Sequence, residues 1–187
     1  MPNIEKILQT MKKQEIPSET IANFMLFKTK QVKPEDYFAF FTQMEELLSK
    51  EQCLSIMNEQ GCRKTAKLSE KHRVFGKIHA DKTIQEKIDL LTELDSPHKA
   101  PCHLNTDGTL TVYFQYGTKG DYYCPCNPIR NLKSEIMPIT YCGCCGGHMR
   151  FLYEHAFGVK LKLIEIVSSM ANSNGEKPCK FIYEIID

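Results

Sequence analysis

An α+β domain is the fold class this sequence predicts, and three observations predict it. Through the first half of the 187 residues, apolar side chains recur at the three- and four-residue spacing of amphipathic helices. After Asp107-Gly108 the rhythm changes to runs rich in β-branched and aromatic residues, broken by glycine and asparagine turns. Between those strands lies one more helical stretch, read from about Gly146 or Gly147 to Phe157, with a knot of cysteines at its head. The expected arrangement is a set of N-terminal helices plus a C-terminal antiparallel sheet with helices, in a single domain. Residues 1–50 form an N-terminal helical segment and residues 51–187 the α+β portion, the two making one unit.

In order, Ile4, Ile7, Leu8 and Met11 give the first helix over residues 3–14. Pro17-Ser18-Glu19 starts a second, carried on by Ile21, Phe24, Met25 and Lys28. Lys33-Pro34-Glu35-Asp36 starts a third, proline suiting the first turn and acids its positive end, with Tyr37, Phe38, Phe41, Met44 and Leu48 as its core stripe. Residues 51–67 read as a fourth helix weakening at Gly61, with Cys53 and Met57 on one face. Val74, Phe75 and Ile78 suggest another turn or two of helix. Thr83 to Leu94 is a clearer one, stopped by Ser96-Pro97, and His98 to Asn105 is a loop. TLTVYFQY, the Gly117–Gly120 turn and Asp121–Cys124 make a β-hairpin. Gly158 closes the cysteine-headed helix. VKLKLIEIVSS is a strand whose alternation slips at Leu163-Ile164, the mark of a bulge or of burial on both faces. The Asn172–Gly175 turn leads into a last strand with Cys179, Phe181, Tyr183 and Ile185 on one face.

A formal net charge of +1 with scattered Lys and Arg excludes the electrostatic footprint of a nucleic-acid or anionic-membrane binder. Neither a signal-peptide apolar run nor a bilayer-length one is present, so a cytoplasmic location is expected. A reducing compartment argues against a disulfide framework, and nine cysteines cannot all pair within one chain.

Five of those nine fall between Asp121 and Phe157, as Cys124-Pro125-Cys126 and Cys142-Gly143-Cys144-Cys145. Pro125 and Gly143 permit the turns that aim both sulfurs of a pair at one place. Cys124, Cys126, Cys142 and Cys144 would then supply the four sulfurs of a tetrahedral zinc site, with Cys145 or His148 as alternates. One residue between paired cysteines is tighter than the two to four of most structural zinc sites, so a thiol-lined pocket without metal stands beside the zinc reading. Cys144 and Cys145 also lie at the positive end of the helix, where thiol pKa values should fall. Cys62, Arg63, Cys145, His148 and Cys179 are the candidate ligand-binding residues, Arg63 as a holder of a carboxylate and Cys179 through its inner-face position.

Tyr141-Cys142-x-Cys144-x-Gly146, a helix ending Phe157-Gly158, a strand, a glycine turn and Cys179-x-Phe181 resemble the C-terminal half of 4-vinyl-reductase-like domains. More broadly they resemble the nitric-oxide-signalling and Golgi-transport ligand-binding fold. IMNEQGCRK is similar to the central helix of uncharacterised proteins related to aminothiazoline-carboxylate hydrolase. The resemblance covers about half the chain and implies helices and a twisted sheet enclosing a small-molecule pocket, with residues 51–187 as the ligand-binding-like part and metal at the cysteines in some relatives. The leading expectation is a small-molecule-binding or sensor-like domain with a cysteine-rich site that holds zinc in one version. The expected partner is a small-molecule ligand rather than nucleic acid or membrane, with a homodimer as an option. Two other classes stay open: a small hydrolase or thiol-dependent enzyme using Cys144 or Cys145 with His148 as base, and a zinc-stapled interaction protein.

Overall fold

The computed structural model describes residues 2–28, 32–61, 65–96, 99–126, 129 and 136–186. Cys62 and Arg63 lie outside the described residues. The chain is a single α+β domain, with a four-stranded antiparallel sheet carried by its C-terminal half.

Helix α1 (Ile4–Lys13) buries Ile4, Ile7, Leu8 and Met11, and the Asn3 side chain accepts a hydrogen bond from the Lys6 amide at its start. Helix α2 (Ser18–Ala22) is shorter than the periodicity predicts. The Asn23 amide group bonds back to the Glu19 and Thr20 carbonyls, and the chain tightens into a 3-10 turn, Met25–Phe27. That turn puts Phe24 and Phe27 in the core and leaves Met25 exposed. Helix α3 (Pro34–Leu47) begins where expected, the Asp36 carboxylate accepting from the Lys33 amide. Its buried stripe includes Phe40, while Phe38 is only half-buried.

Helix α4 (Lys50–Asn58) opens with reciprocal Ser49 and Gln52 caps and ends before Gly61. Helix α5 (Ala66–Ile78) is longer than its apolar residues suggest. It buries Ser69, His72 and Phe75 and turns Val74 and Ile78 outward, so the inner face carries little apolar signal. Helix α6 (Ile84–Asp89) is capped by Thr83 and Glu86 and passes into a 3-10 turn, Leu90–Glu93.

The segment read as a loop is strand β1 (Cys102–Leu104), paired with β2 (Leu110–Phe114). β2 pairs on its other side with β6 (Cys179–Ile186), and β6 with β5 (Lys160–Ser168), giving the order β1-β2-β6-β5. The expected hairpin survives only as the two-residue ladder of β3 (Gly117–Thr118) and β4 (Asp121–Tyr122), apart from the main sheet. The bulge expected in β5 is present: pairing jumps from Leu163↔Tyr183 to Glu165↔Ile182, leaving Ile164 as the extra residue. Cys179, Phe181 and Tyr183 form the buried face of β6.

Helix α7 (Gly143–Phe157) is wedged between β5, α4 and α5. It starts at Gly143, three residues before the glycines expected to open it, and follows directly on a 3-10 turn, Ile139–Cys142. Its glycines are packing residues. A Cβ on Gly143 would lie 2.5 Å from Met57 Cβ, one on Gly146 2.7 Å from Leu163 Cδ2, and one on Gly147 1.8 Å from the Gln60 carbonyl oxygen. At its far end the Lys87 ammonium donates to the Phe157 carbonyl at 2.8 Å, and Gly158 takes the left-handed conformation that ends the helix. Glu154 and Asn58 accept hydrogen bonds from the Leu161 and Leu163 amides at 3.1 and 3.0 Å, on the outer side of β5. Ring contacts Phe24–Phe40, Phe40–Phe41 and Phe41–Tyr141 tie the N-terminal helices to the turn that precedes α7.

Gly147→Ala sets two effects against each other. Alanine favours a helix interior by about 1 kcal/mol, but overpacking against an unyielding backbone costs about 3 kcal/mol or more. A lower urea midpoint for Gly147→Ala than for Gly143→Ala, where a methionine side chain is the neighbour, is the expected outcome.

Candidate functional site

Three stretches of chain meet at the head of α7. The segment after β4 brings Cys124 and Cys126, the 3-10 turn and first helical turn bring Tyr141, Cys142, Cys144 and Cys145, and the first residue of β6 brings Cys179. The thiols on either side of the proline-containing connection do converge: Cys126 is hydrogen-bonded to both Cys124 and Cys145. The Tyr141 hydroxyl is buried near the same sulfur and makes no hydrogen bond among the described residues. Cys142 is hydrogen-bonded to Cys179 and to Ser169. Cys144 is buried, and it and Cys126 both act on the Tyr37 hydroxyl, Cys126 the more strongly.

Helical geometry decides this grouping. Successive residues point about 100° apart at 3.6 residues per turn, so Cys144 and Cys145 cannot face one spot. Of the expected set Cys124, Cys126, Cys142 and Cys144, the first two are hydrogen-bonded to each other and Cys142 to Cys179, and Cys145 joins the first pair. Among the described residues no group of three or more His, Cys, Asp or Glu side chains is arranged to hold a metal ion. His148 is buried one turn further along α7.

The electrostatics give each sulfur a role. Hydrogen bonds from Cys124 and then Cys145 hold the Cys126 thiol well below its ordinary pKa, against burial, with a smaller contribution from Tyr141. Cys124 and Cys145 are pushed up, first by that same bond to Cys126 and then by burial. Cys179 is lowered, first by Cys142 and also by the Met170 amide, and Cys142 is raised by the same pairing. The expectation that the helix terminus would lower Cys145 is overturned, because Cys145 is a buried donor and the thiolate it supports is Cys126. Burial, then the charges of Cys126 and Cys124, drives the Tyr141 hydroxyl far up, keeping it protonated.

The loop between β5 and β6 seats this cluster. Ser169 is fully buried and accepts from the Asn172 amide, Asn172 donates to the Met137 carbonyl, and the Tyr116 amide meets the Met170 sulfur at 3.5 Å. Cys53 stands apart, donating to the Met44 carbonyl, and Cys102 sits in β1; neither belongs to the cluster. Sequence reasoning missed Tyr141 and Ser169. A tyrosine directly before the cysteine run was the one available signal for the first, and nothing local marked the second.

No family model matches the chain, and no curated protein matches it. Among solved structures it aligns with an H-NOX protein from S. oneidensis in the Fe(II)NO ligation state, at 14% identity over 98% of each chain and a TM-score of 0.35. Agreement that loose carries no chemistry from that protein to this one. The resemblance read in residues 141–186 thus rests on those residues alone. Among the described residues no helix is long and apolar enough to cross a membrane.

Burial pushes Cys53 up to about 11 and Cys102 to about 12 from an ordinary 9.0. Both stay protonated in the fold while the unfolded chain ionises, so the native state holds more protons and stability falls as pH rises from 9.0 toward those values. Cys102→Ala should flatten that fall, which urea unfolding at about pH 8 and about pH 10 will show as a smaller loss than in the wild type.

Proposed function

We propose that this chain is a ligand-binding domain of the sensor type, and that its working centre is the thiol cluster at the head of α7, built to take a thiophilic ligand. The observation that carries this reading is the environment of Cys126: its neighbour Cys124 and, from the first turn of α7, Cys145 are hydrogen-bonded to its sulfur inside the domain. Ordinary core cysteines behave as small apolar groups and have no need of such donors. A sulfur held as thiolate, with further thiols in contact, is suited to a soft cation or an electrophile.

Zinc is one ligand whose preference for thiolates suits these residues, although no three of the described side chains stand arranged for it, so binding would require them to shift. Cys124, Cys126 and Cys145 would hold it, with the Cys142–Cys179 pair beside them, and each coordinating thiol would release its proton on binding. Bound there, zinc would supply a fixed positive charge that keeps the sulfurs ionised. Tyr141 would hold the position of Cys126, and Ser169 that of Cys142.

A thiol-dependent enzyme is the second reading, favoured by the depressed Cys126 pKa. The nucleophile in it is Cys126 rather than Cys144 or Cys145, since Cys145 is a raised donor. Anaerobic purification, elemental analysis and mass-spectrometric mapping of alkylated cysteines separate the two. Under the binding reading, close to one equivalent of metal is retained or taken up from added zinc, Cys124, Cys126 and Cys145 are protected together, and Cys126→Ser abolishes the uptake. Less than about a tenth of an equivalent, with every thiol freely titratable, defeats it. Fast labelling of Cys126 alone at neutral pH supports the enzyme instead.

A further inference from the structure

A cleft of about 830 Å³ runs between α4, the second half of α7 and the outer edge of β5. That volume is within the range of small-molecule sites, and its walls join an apolar stretch, Leu54, Leu161, Leu163, Ile164 and Ile186, to charged side chains of both signs. Ile164 and Ile186 are among the large apolar side chains the fold leaves exposed. The bulge explains the first of them, since the extra residue of β5 is Ile164.

Arg150 lines the same cleft, its side chain only 16% exposed. Its Nε is buried and makes no hydrogen bond, and the nearest carboxylate, Glu59, stands 3.7 Å from Nη1, beyond hydrogen-bonding distance. Two neighbours that might have served it are engaged elsewhere: Glu154 and Asn58 accept from the Leu161 and Leu163 amides. A mostly buried guanidinium with an unsatisfied Nε and, among the described residues, a single long ion pair is a costly arrangement unless something else completes it. Its planar fork matches a carboxylate.

We infer that this cleft is a second ligand site, taking an amphipathic carboxylate whose charged head pairs with Arg150 and whose apolar body lies along Leu54, Ile164 and Ile186. Lys50, Lys160 and Lys162 bring positive charge to the cleft, Lys162 sharing its charge with Glu184, against the carboxylates of Glu51, Glu59 and Glu154, of which Glu59 competes for Arg150. The site stands on different residues from the thiol cluster and does not depend on it.

Dodecanoate below its micelle concentration is a suitable probe, with dodecanol and dodecyltrimethylammonium as neutral and cationic controls, followed by calorimetry and by methyl NMR of the whole chain. Saturable binding of dodecanoate over both controls is expected, with shifts at the Leu54, Ile164 and Ile186 methyls. Loss of a charge-assisted pair predicts about 10- to 100-fold weaker binding in Arg150→Gln, with dodecanol unaffected. Glu59→Gln, which removes the competing carboxylate, should tighten dodecanoate several-fold and keeps the proposal testable if the arginine variant does not fold. Equal binding of dodecanoate and dodecanol, shifts confined to other parts of the molecule, no saturable binding, or indifference to both substitutions overturns it.

Discussion

The close approach of α7 to α4 is the constraint on which the rest of the molecule depends. At Gly147 the helix comes so near the end of α4 that a single methyl group would strike the Gln60 carbonyl, and Gly143 and Gly146 allow a less extreme approach to the side chains of Met57 in α4 and Leu163 in β5. Glycines are poor helix formers, each about 1 kcal/mol worse than alanine, so this helix forms because packing outweighs propensity. Its position also fixes where Cys142, Cys145, Arg150 and Glu154 sit. Tyr183 reinforces the seat from the sheet, its hydroxyl donating to the Gly146 carbonyl at 2.8 Å.

An ionised sulfur away from water is unfavourable unless donors surround it. The cluster meets that condition by dividing its thiols into acceptors and donors: Cys126 accepts from Cys124 and Cys145, and Cys179 accepts from Cys142 and the Met170 amide. Cys145 and Cys142 are far in sequence from the sulfurs they serve, so the pattern exists only in the folded chain. Aromatic contacts from Phe24 through Phe40 and Phe41 to Tyr141 make the N-terminal helices part of the same support.

How far the sequence could be read varied with how strongly each segment's periodicity was expressed. Helix α1, the start of α3, the β5 bulge and the inner face of β6 were legible, because apolar spacing and burial coincide there. Helix α5 was half-read because it buries Ser69 and His72 and exposes Ile78. β1 was hidden by its shortness and by the proline before it, and β2 pairs with β1 and β6 rather than with the residues that follow it in the chain. In the cluster, the meeting of Cys126 with Cys145 followed from the density of cysteines. Which sulfur faced which did not, since it depends on where the first turn begins, and the glycines obscured that start. Arg150 gave no signal, because an arginine within a helix usually reaches solvent.

The outer margin of the sheet has a further consequence. With the Leu161 and Leu163 amides already occupied by Glu154 and Asn58, β5 offers an interrupted row of donors to any extended segment that drifts alongside. The displaced Ile164 adds a kink to that row. Growth of the sheet by recruiting a foreign strand is disfavoured over this part of the border, where two of the donors it would need are already taken.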